Sequence, residues 1–169
     1  MLAPGVPTVR VRQIEIADSD WVRGVRNDRV TLAGSWDAHE VTGWEHLPWF
    51  RGVVYGVRKG RDPLRWFVME VDGERAGHIR LEKALIEPKE HLIEAQAVSI
   101  AMDPGYRGKG YGAKLLSYTV RERAWEALPC VAFVKRENEA SMKLFRKAFT
   151  EKEYRGLIQG AAFFIRESD

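Results

Sequence analysis

Residues 103–112 read Asp103-Pro104-Gly105-Tyr106-Arg107-Gly108-Lys109-Gly110-Tyr111-Gly112, and their types and spacing suit the holding of a phosphate. An apolar run, Ala97 to Met102, precedes them, and an amphipathic stretch from Gly110 to about Leu128 follows. The order is strand, glycine-rich turn, helix. Such a turn sets unpaired backbone N–H groups at the positive end of a helix dipole, flanked here by Arg107 and Lys109. Glycine lets the main chain approach an anion without a Cβ in the way.

Two familiar phosphate loops do not match. A Walker A loop needs Ser or Thr after Gly-Lys, whereas Gly108-Lys109 is followed by Gly110. A dinucleotide fingerprint needs Gly-x-Gly-x-x-Gly and an acidic residue closing the next strand. Here the glycines fall at 108, 110 and 112, and the strand Val131-Ala132-Phe133-Val134 runs into Lys135 and Arg136. Ser99 has no His–acid partner placed to activate it and reads as a sheet residue. No spacing of His, Cys, Asp and Glu suggests a metal site.

The elements that position this loop follow from pattern. Thr8 to Ile16 alternates as a first strand. Asp18 is a candidate cap for a helix to about Asp28, and Thr42-x-x-Glu45 for a second helix over Trp44, Leu47, Trp49 and Phe50, kinked at Pro48. Arg29 to Asp37 has no clear period. Arg65 to Val71, the turn Asp72-Gly73, and Arg75 to Glu82 predict a hairpin. Residues 83–93 are polar and read as a loop before a strand at 94–102. A strand at 130–135, a helix near 139–148 and a last strand pair near 152–155 and 161–166 complete an α/β chain.

At 169 residues, with 45% hydrophobic and 30% charged, the chain reads as one soluble domain, 1–169. No apolar run is long enough for a membrane span. The start, Met1 to Pro7, lacks a signal-peptide pattern, and the single cysteine, Cys130, suits a reducing compartment, so the cytoplasm is expected. A net charge of +3 without a basic cluster does not point to nucleic acid.

Arg107-x-x-Gly110-x-Gly112 resembles the acyl-CoA pyrophosphate loop of the GNAT N-acetyltransferases. Upstream, Val98 to Pro104 resembles that family's fourth strand and its exit. Downstream, Asn138-Glu139-Ala140-Ser141-Met142-Lys143-Leu144-Phe145-Arg146-Lys147 resembles its Asn-x-x-Ala/Ser-x-x-Leu-Tyr/Phe-x-Lys helix. The resemblance implies a GNAT fold: a mixed, mostly antiparallel sheet of six to seven strands with about four helices on both faces. It implies acetyl transfer from acetyl-CoA to an amine. The strands near 98–102 and 131–135 would splay to admit the pantetheine arm. Amides of Ile100, Ala101 and Met102 would bond that arm and supply oxyanion stabilisation. Arg107, Gly108, Lys109, Gly110, Tyr111 and Gly112 would hold the pyrophosphate, and Asn138 would contact the arm or its acetyl end. Phe145 stands where many members carry a tyrosine acid, and it has no proton to give. Lys147-Ala148-Phe149-Thr150 lacks the family's C-cap glycine, so the turn after this helix is expected to differ.

For the base that takes the amine's proton, Glu94 and His78 are the candidates, with Glu82 beside them. For the acceptor, Arg26-Asn27-Asp28, Glu45-His46-x-x-Trp49-Phe50 and Gly77-His78-Ile79-Arg80 resemble the branch that acetylates nucleotide-linked aminosugars, the pseudaminic-acid pathway type. Arg26, His46, Trp49 and Arg80 are then the acceptor residues: tryptophan faces for a sugar or base, arginines for a diphosphate. The alternatives are an acetyltransferase of protein N-termini of the ribosomal-protein type, or of another small amine such as an aminoglycoside, and a non-catalytic acyl-CoA-binding relative. Dimers are common in the family, which makes a homodimer an expectation.

Overall fold

The turn Asp72-Gly73 places two consecutive residues in the left-handed region, φ 52° and 84°, the geometry that lets a two-residue turn follow the twist of its strands. In this computed structural model, which describes residues 5–60, 64–86, 92–124, 128–152 and 161–165, that turn joins β2 (Leu64–Val71) to β3 (Glu74–Ile86). The other strands are β1 (Val9–Gln13), β4 (Ile93–Met102), β5 (Cys130–Val134), β6 (Phe149–Lys152) and β7 (Ala161–Ile165). They form one seven-stranded sheet in the order β1-β2-β3-β4-β5-β7-β6. Every neighbouring pair is antiparallel except β4 and β5, which run parallel.

Helices cover both faces, and the period of the strands sorts the side chains between them. Phe67, Met69, Ile79, Leu81 and Val98 pack with Leu115 and Leu116 of α4 (Tyr111–Arg123) and with Met142 and Phe145 of α5 (Glu139–Ala148). Leu64, Trp66 and Val68 pack on the opposite face with Val22 of α1 (Ser19–Asn27) and with Phe50, Val54 and Val57 of α3 (Gly43–Lys59).

Five differences from the sequence expectation bear on the site. A further short helix, α2 (Arg29–Gly34), occupies the stretch without a period, and the Asp28 side chain caps it by accepting from the Val30 and Thr31 N–H groups. That makes five α-helices among the described residues rather than about four. Asp18 does not cap α1 with its side chain; Arg12 and Arg75 claim its carboxylate instead. The Thr42–Glu45 capping box forms, but α3 runs on through Pro48 to Lys59, because the one backbone bond Pro48 forgoes is to the carbonyl of exposed Trp44. Its buried line is His46, Phe50, Val54 and Val57, so Trp44 and Leu47 face outward. β3 and β4 stay paired out to Ile86 and Ile93, which replaces much of the expected loop at 83–93; residues 87–91 lie outside the described residues. Finally, with no glycine to cap α5, the chain turns extended at Phe149 (φ −126°, ψ 156°) and enters β6 directly, three residues earlier than expected. The remainder of the expected strand at 152–155, from residue 153 on, lies outside the described residues, as do residues 125–127 of the expected long helix; the described α4 ends at Arg123.

Candidate active site

β4 and β5 pair only at Gln96–Cys130 and Ala97–Val131. Beyond that point β4 stays bonded to β3, and β5 to β7, so the two strands part and leave a gap. Gln96 pins the closed end: its N–H donates to the Pro129 carbonyl at 2.9 Å and its Nε2 to the Leu128 carbonyl at 2.7 Å. The Gln96 N–H therefore points to the β5 side. The two-residue period of the strand turns the N–H of Val98 the same way, into the last rung with β5, turns those of Ile100 and Met102 into the gap beyond it, and turns that of Ala101 toward β3. An edge of unpaired, alternating donors is what an extended amide-containing chain needs in order to pair.

The loop at 103–110 stands at the open end of β4. Asp103 Oδ1 accepts from the Gly105 N–H at 3.0 Å, and its Oδ2 accepts from Trp21 Nε1 at 3.1 Å. Gly108 and Gly110 have φ of 72° and 83°, and a Cβ on either would meet nothing within 4 Å. Their glycine requirement comes from the dihedral and not from crowding. Gly110 is the N-cap of α4 and offers no side chain to the first turn, so the N–H groups there are left for another partner. Gly112 is helical and of a different kind: a Cβ would rest against Met102 and Leu144 at ordinary contact distance.

The two cations of the loop are engaged within the chain. Arg107 Nε donates to the Met102 carbonyl at 3.0 Å, and its Nη2 reaches Thr31 Oγ1 at 3.1 Å and Asp28 Oδ2 at 2.7 Å. Arg107 thus straps the end of β4 to the start of α2. Lys109 Nζ donates to the Gly105 carbonyl at 2.6 Å and remains exposed. Tyr111, on the first turn of α4, packs edge-on against Tyr106.

Across the gap, Asn138 caps α5 through its Oδ1, and its amide lies so close to Gly34 that a Cβ there would collide with it. Lys135 Nζ lies 3.4 Å from the Ala33 carbonyl and 5.9 Å from the centre of the Trp36 ring. α2 therefore bridges the two sides, held by Arg107 on one and by Lys135 and Asn138 on the other. Phe145 is not at the gap surface. It is buried in the core beside Phe149, their rings 5.5 Å apart.

The face of the sheet toward α1 and α3 carries the remaining candidates. Register places Trp66, Arg80 and Ser99 in one row and Val68, His78 and Ala101 in the next. His78 is buried, and its Nδ1 accepts from Trp66 Nε1 at 3.2 Å. Burial first, and the nearby Arg80 charge second, push its pKa down to about 3, so the ring is neutral with its proton on Nε2. The Arg80 guanidinium lies 5.2 Å from the Trp66 ring centre and 5.9 Å from that of Trp49, and its Nη2 pairs with Glu82 at 3.0 Å. Trp49 is 46% exposed.

Not every candidate converges here. His46 donates from Nε2 to the Ser19 carbonyl at 3.0 Å and stacks on Phe50; it is a packing residue between α3 and α1, its pKa lowered by burial. Arg26 donates to the Asp37 carbonyl at 2.6 Å, and its buried Nη1 has no partner among the described residues. Glu94 is exposed near the start of β4. It stands six residues before Ile100, roughly 20 Å along the strand. Trp21 and Trp66 are the site residues the sequence analysis did not single out.

Residues 29–149 match the model of a family described as the acetyltransferase (GNAT) family. Among solved structures, the chain resembles yncA from Salmonella typhimurium, determined with its cofactor acetyl-CoA, at 20% identity over 94% of this chain and 92% of that one, with a TM-score of 0.65. A ribosomal-protein-alanine N-acetyltransferase from Brucella melitensis is 23% identical over 92% of this chain and 97% of that one, with a TM-score of 0.65. An N-acetyltransferase from Staphylococcus aureus is 20% identical over 93% and 95%, with a TM-score of 0.63. No curated protein sequence matches the chain.

Proposed function

The chain belongs to the GNAT acetyltransferase family, and on that premise we propose that it moves an acetyl group from acetyl-CoA to the primary amine of a small acceptor. The observation that carries this reading is the gap between β4 and β5, which closes at Gln96 and opens beside the positive-φ glycines of the loop. The residues fit such a donor. The N–H groups of Ile100 and Met102 face the gap, where an amide-bearing arm pairs with them. The first turn of α4, preceded by Gly108 and Gly110, suits the diphosphate. Lys109 supplies a mobile charge there, while Arg107 shapes the loop from behind.

The donor contributes a thioester carbonyl. The chain contributes an N–H at Ile100 or Met102 for the charge that develops on the carbonyl oxygen, and a dry slot that holds both reactants together. The acceptor nitrogen bonds the acetyl carbon and the carbon–sulfur bond breaks. The surplus ammonium proton goes to water, which also protonates the thiolate. Neutral His78 has no tendency to take that proton, and Glu82 is committed to Arg80.

The acceptor reading is a nucleotide-linked aminosugar. Its support is the arrangement of Arg80 between two indoles with Trp49 half exposed, a flat apolar platform next to a cation. A protonated peptide N-terminus would meet that cation at close range. The buried free thiol of Cys130 fits the cytoplasm as the compartment. Among the described residues no helix is long and apolar enough to cross a membrane.

The test is thiol release from acetyl-CoA with UDP- and dTDP-linked aminosugars, run beside peptides and aminoglycosides. Release with nucleotide sugars alone is expected. Release with peptides alone removes the sugar reading, and acetyl-CoA binding without release from any amine removes catalysis.

A further inference from the structure

Two of the buried polar atoms that lack a partner among the described residues sit two positions apart on one strand. They are His78 Nε2 and Arg80 Nε. Residues i and i+2 share a face, so both side chains stand on the α1/α3 side of β3. The two nitrogens of an imidazole point nearly opposite ways. With Nδ1 turned to Trp66 on β2, the Nε2–H is turned toward β4, where Ala101 and exposed Ser99 lie in register with His78 and Arg80. Trp21 covers the His78 ring edge-on at 5.8 Å, and Trp49 and Trp66 flank Arg80. Both orphan groups are donors, and neither can accept. A buried donor left unpaired costs about 1–3 kcal/mol, and these two stand on one face of one strand, two residues apart.

We propose that His78 Nε2–H and Arg80 Nε–H receive an acidic oxygen, carboxylate or phosphate, carried by the acceptor itself. This rests on the acetyltransferase reading, and it makes His78 a hydrogen-bond donor for recognition rather than the base. Position supports it. Ala101 faces His78 across one strand spacing, roughly 5 Å, and the gap-facing N–H groups of Ile100 and Met102 flank Ala101. The acid and the amine therefore lie on one small molecule. The indoles exclude water and strengthen a charge-assisted bond from Arg80. Glu82 holds Nη2 and leaves Nε for the ligand.

The test compares matched acceptors by thiol release: α-amino acids with their amides and amino alcohols, and UDP-linked aminosugars with the free aminosugars. Beside it, the protein carrying ¹⁵N-histidine is titrated with inorganic phosphate and with N-acetylglycine, neither of which is an amine to be acetylated. The acidic member of one series is expected to react with the lower KM, and which series it is separates carboxylate from phosphate. Arg80→Gln, at a partly exposed site, is expected to raise KM for that acid by about 10- to 100-fold and to remove most of its advantage over the neutral partner. His78→Gln, which keeps a donor, is expected to retain more of the preference than His78→Phe. The His78 Nε2–H resonance is expected to move with phosphate or N-acetylglycine. Turnover without acid preference and with a still resonance overturns this proposal and leaves the acetyltransferase reading intact. A moving resonance without turnover of any amine leaves an acid-binding pair at His78 and Arg80 but overturns its assignment to an acceptor, together with that reading. A still resonance with no turnover overturns both.

Discussion

Asp18 and His78 are both buried, titratable and on the α1 side of the sheet, and the chain treats them oppositely. Asp18, at 0% exposure, receives two bonds from Arg12 at 2.7 and 2.8 Å, one from Arg75 Nε at 2.8 Å and one from the Glu15 N–H at 2.9 Å. Burial alone would raise its pKa, but these hydrogen bonds outweigh it and the pKa falls. His78, at 9% exposure, has one nitrogen bonded and the other bare. Asp18 closes a structural knot between β1, the turn before α1 and β3, and every need is met from within the chain. The row containing His78 and Arg80 is met only in part. The unmet donors of that row are what the proposed ligand would complete.

The largest effect expected from breaking this contrast is Asp18→Asn. It leaves Arg75 without its counter-charge and Arg12 with Glu70 alone, at 2.6 Å, and urea denaturation should show a loss of about 3 kcal/mol. Disruption at the ligand side should hit binding more than stability, even with the strain of a side chain at a positive-φ position. Gly110→Asp puts a carboxylate at the N-terminus of α4, where calorimetry should find acetyl-CoA affinity reduced by at least about 100-fold.

The next effect is pH dependence. His78 has a folded pKa of about 3 against an ordinary value of 6.5, so below pH 6.5 the unfolded chain takes a proton the native one refuses. Stability from this group is present above 6.5 and is lost as pH falls toward 3. Between pH 6.5 and 5 the loss should be about 2 kcal/mol. His46, also lowered by burial, adds with the same sign. His78→Gln should flatten its share of that slope in urea melts at pH 7 and 5; an unchanged slope contradicts a neutral buried imidazole. The smallest effect is Phe145→Tyr. Burial of Phe145 against Phe149 predicts no gain in kcat, with a stability cost of about 1–2 kcal/mol from the added hydroxyl. A faster enzyme would mean that a missing acid limits turnover.

Local features of the site were legible. Arg107-x-x-Gly110-x-Gly112 lies between a strand and a helix as expected, because positive φ at Gly108 and Gly110 is a property of the turn itself. Asn138 begins α5, and the Asp72-Gly73 hairpin forms for the same local reason. What was not legible depended on partners far along the chain. α2 is too short to show a period, and its stabilising contacts come from Arg107 and Lys135, more than seventy residues away. The same contacts make Arg107 a strap between the end of β4 and α2.

By itself, then, the sequence determined the phosphate-type loop, the hairpin turn, the capping box at Thr42 and Glu45, and the order of strands and helices apart from α2. Each rests on φ preferences or on neighbours a few residues apart. Only the tertiary structure decided which side chains share the face of Trp66. Counting outward from the Asp72-Gly73 turn would set Trp66 opposite Ile79. A register shift between Met69 and Glu70 leaves Ala76 as the extra residue on β3 and sets Trp66 opposite Arg80 instead. Because side chains alternate between faces, that single residue moves His78 and Arg80 onto the face of Trp66 and its neighbours. The Ala76 carbonyl accepts from the Asp103 N–H at 3.0 Å, so the bulge is tied to the end of β4 and to the loop that follows. A one-residue shift of this kind is set by long-range pairing, and no local pattern in the chain records it.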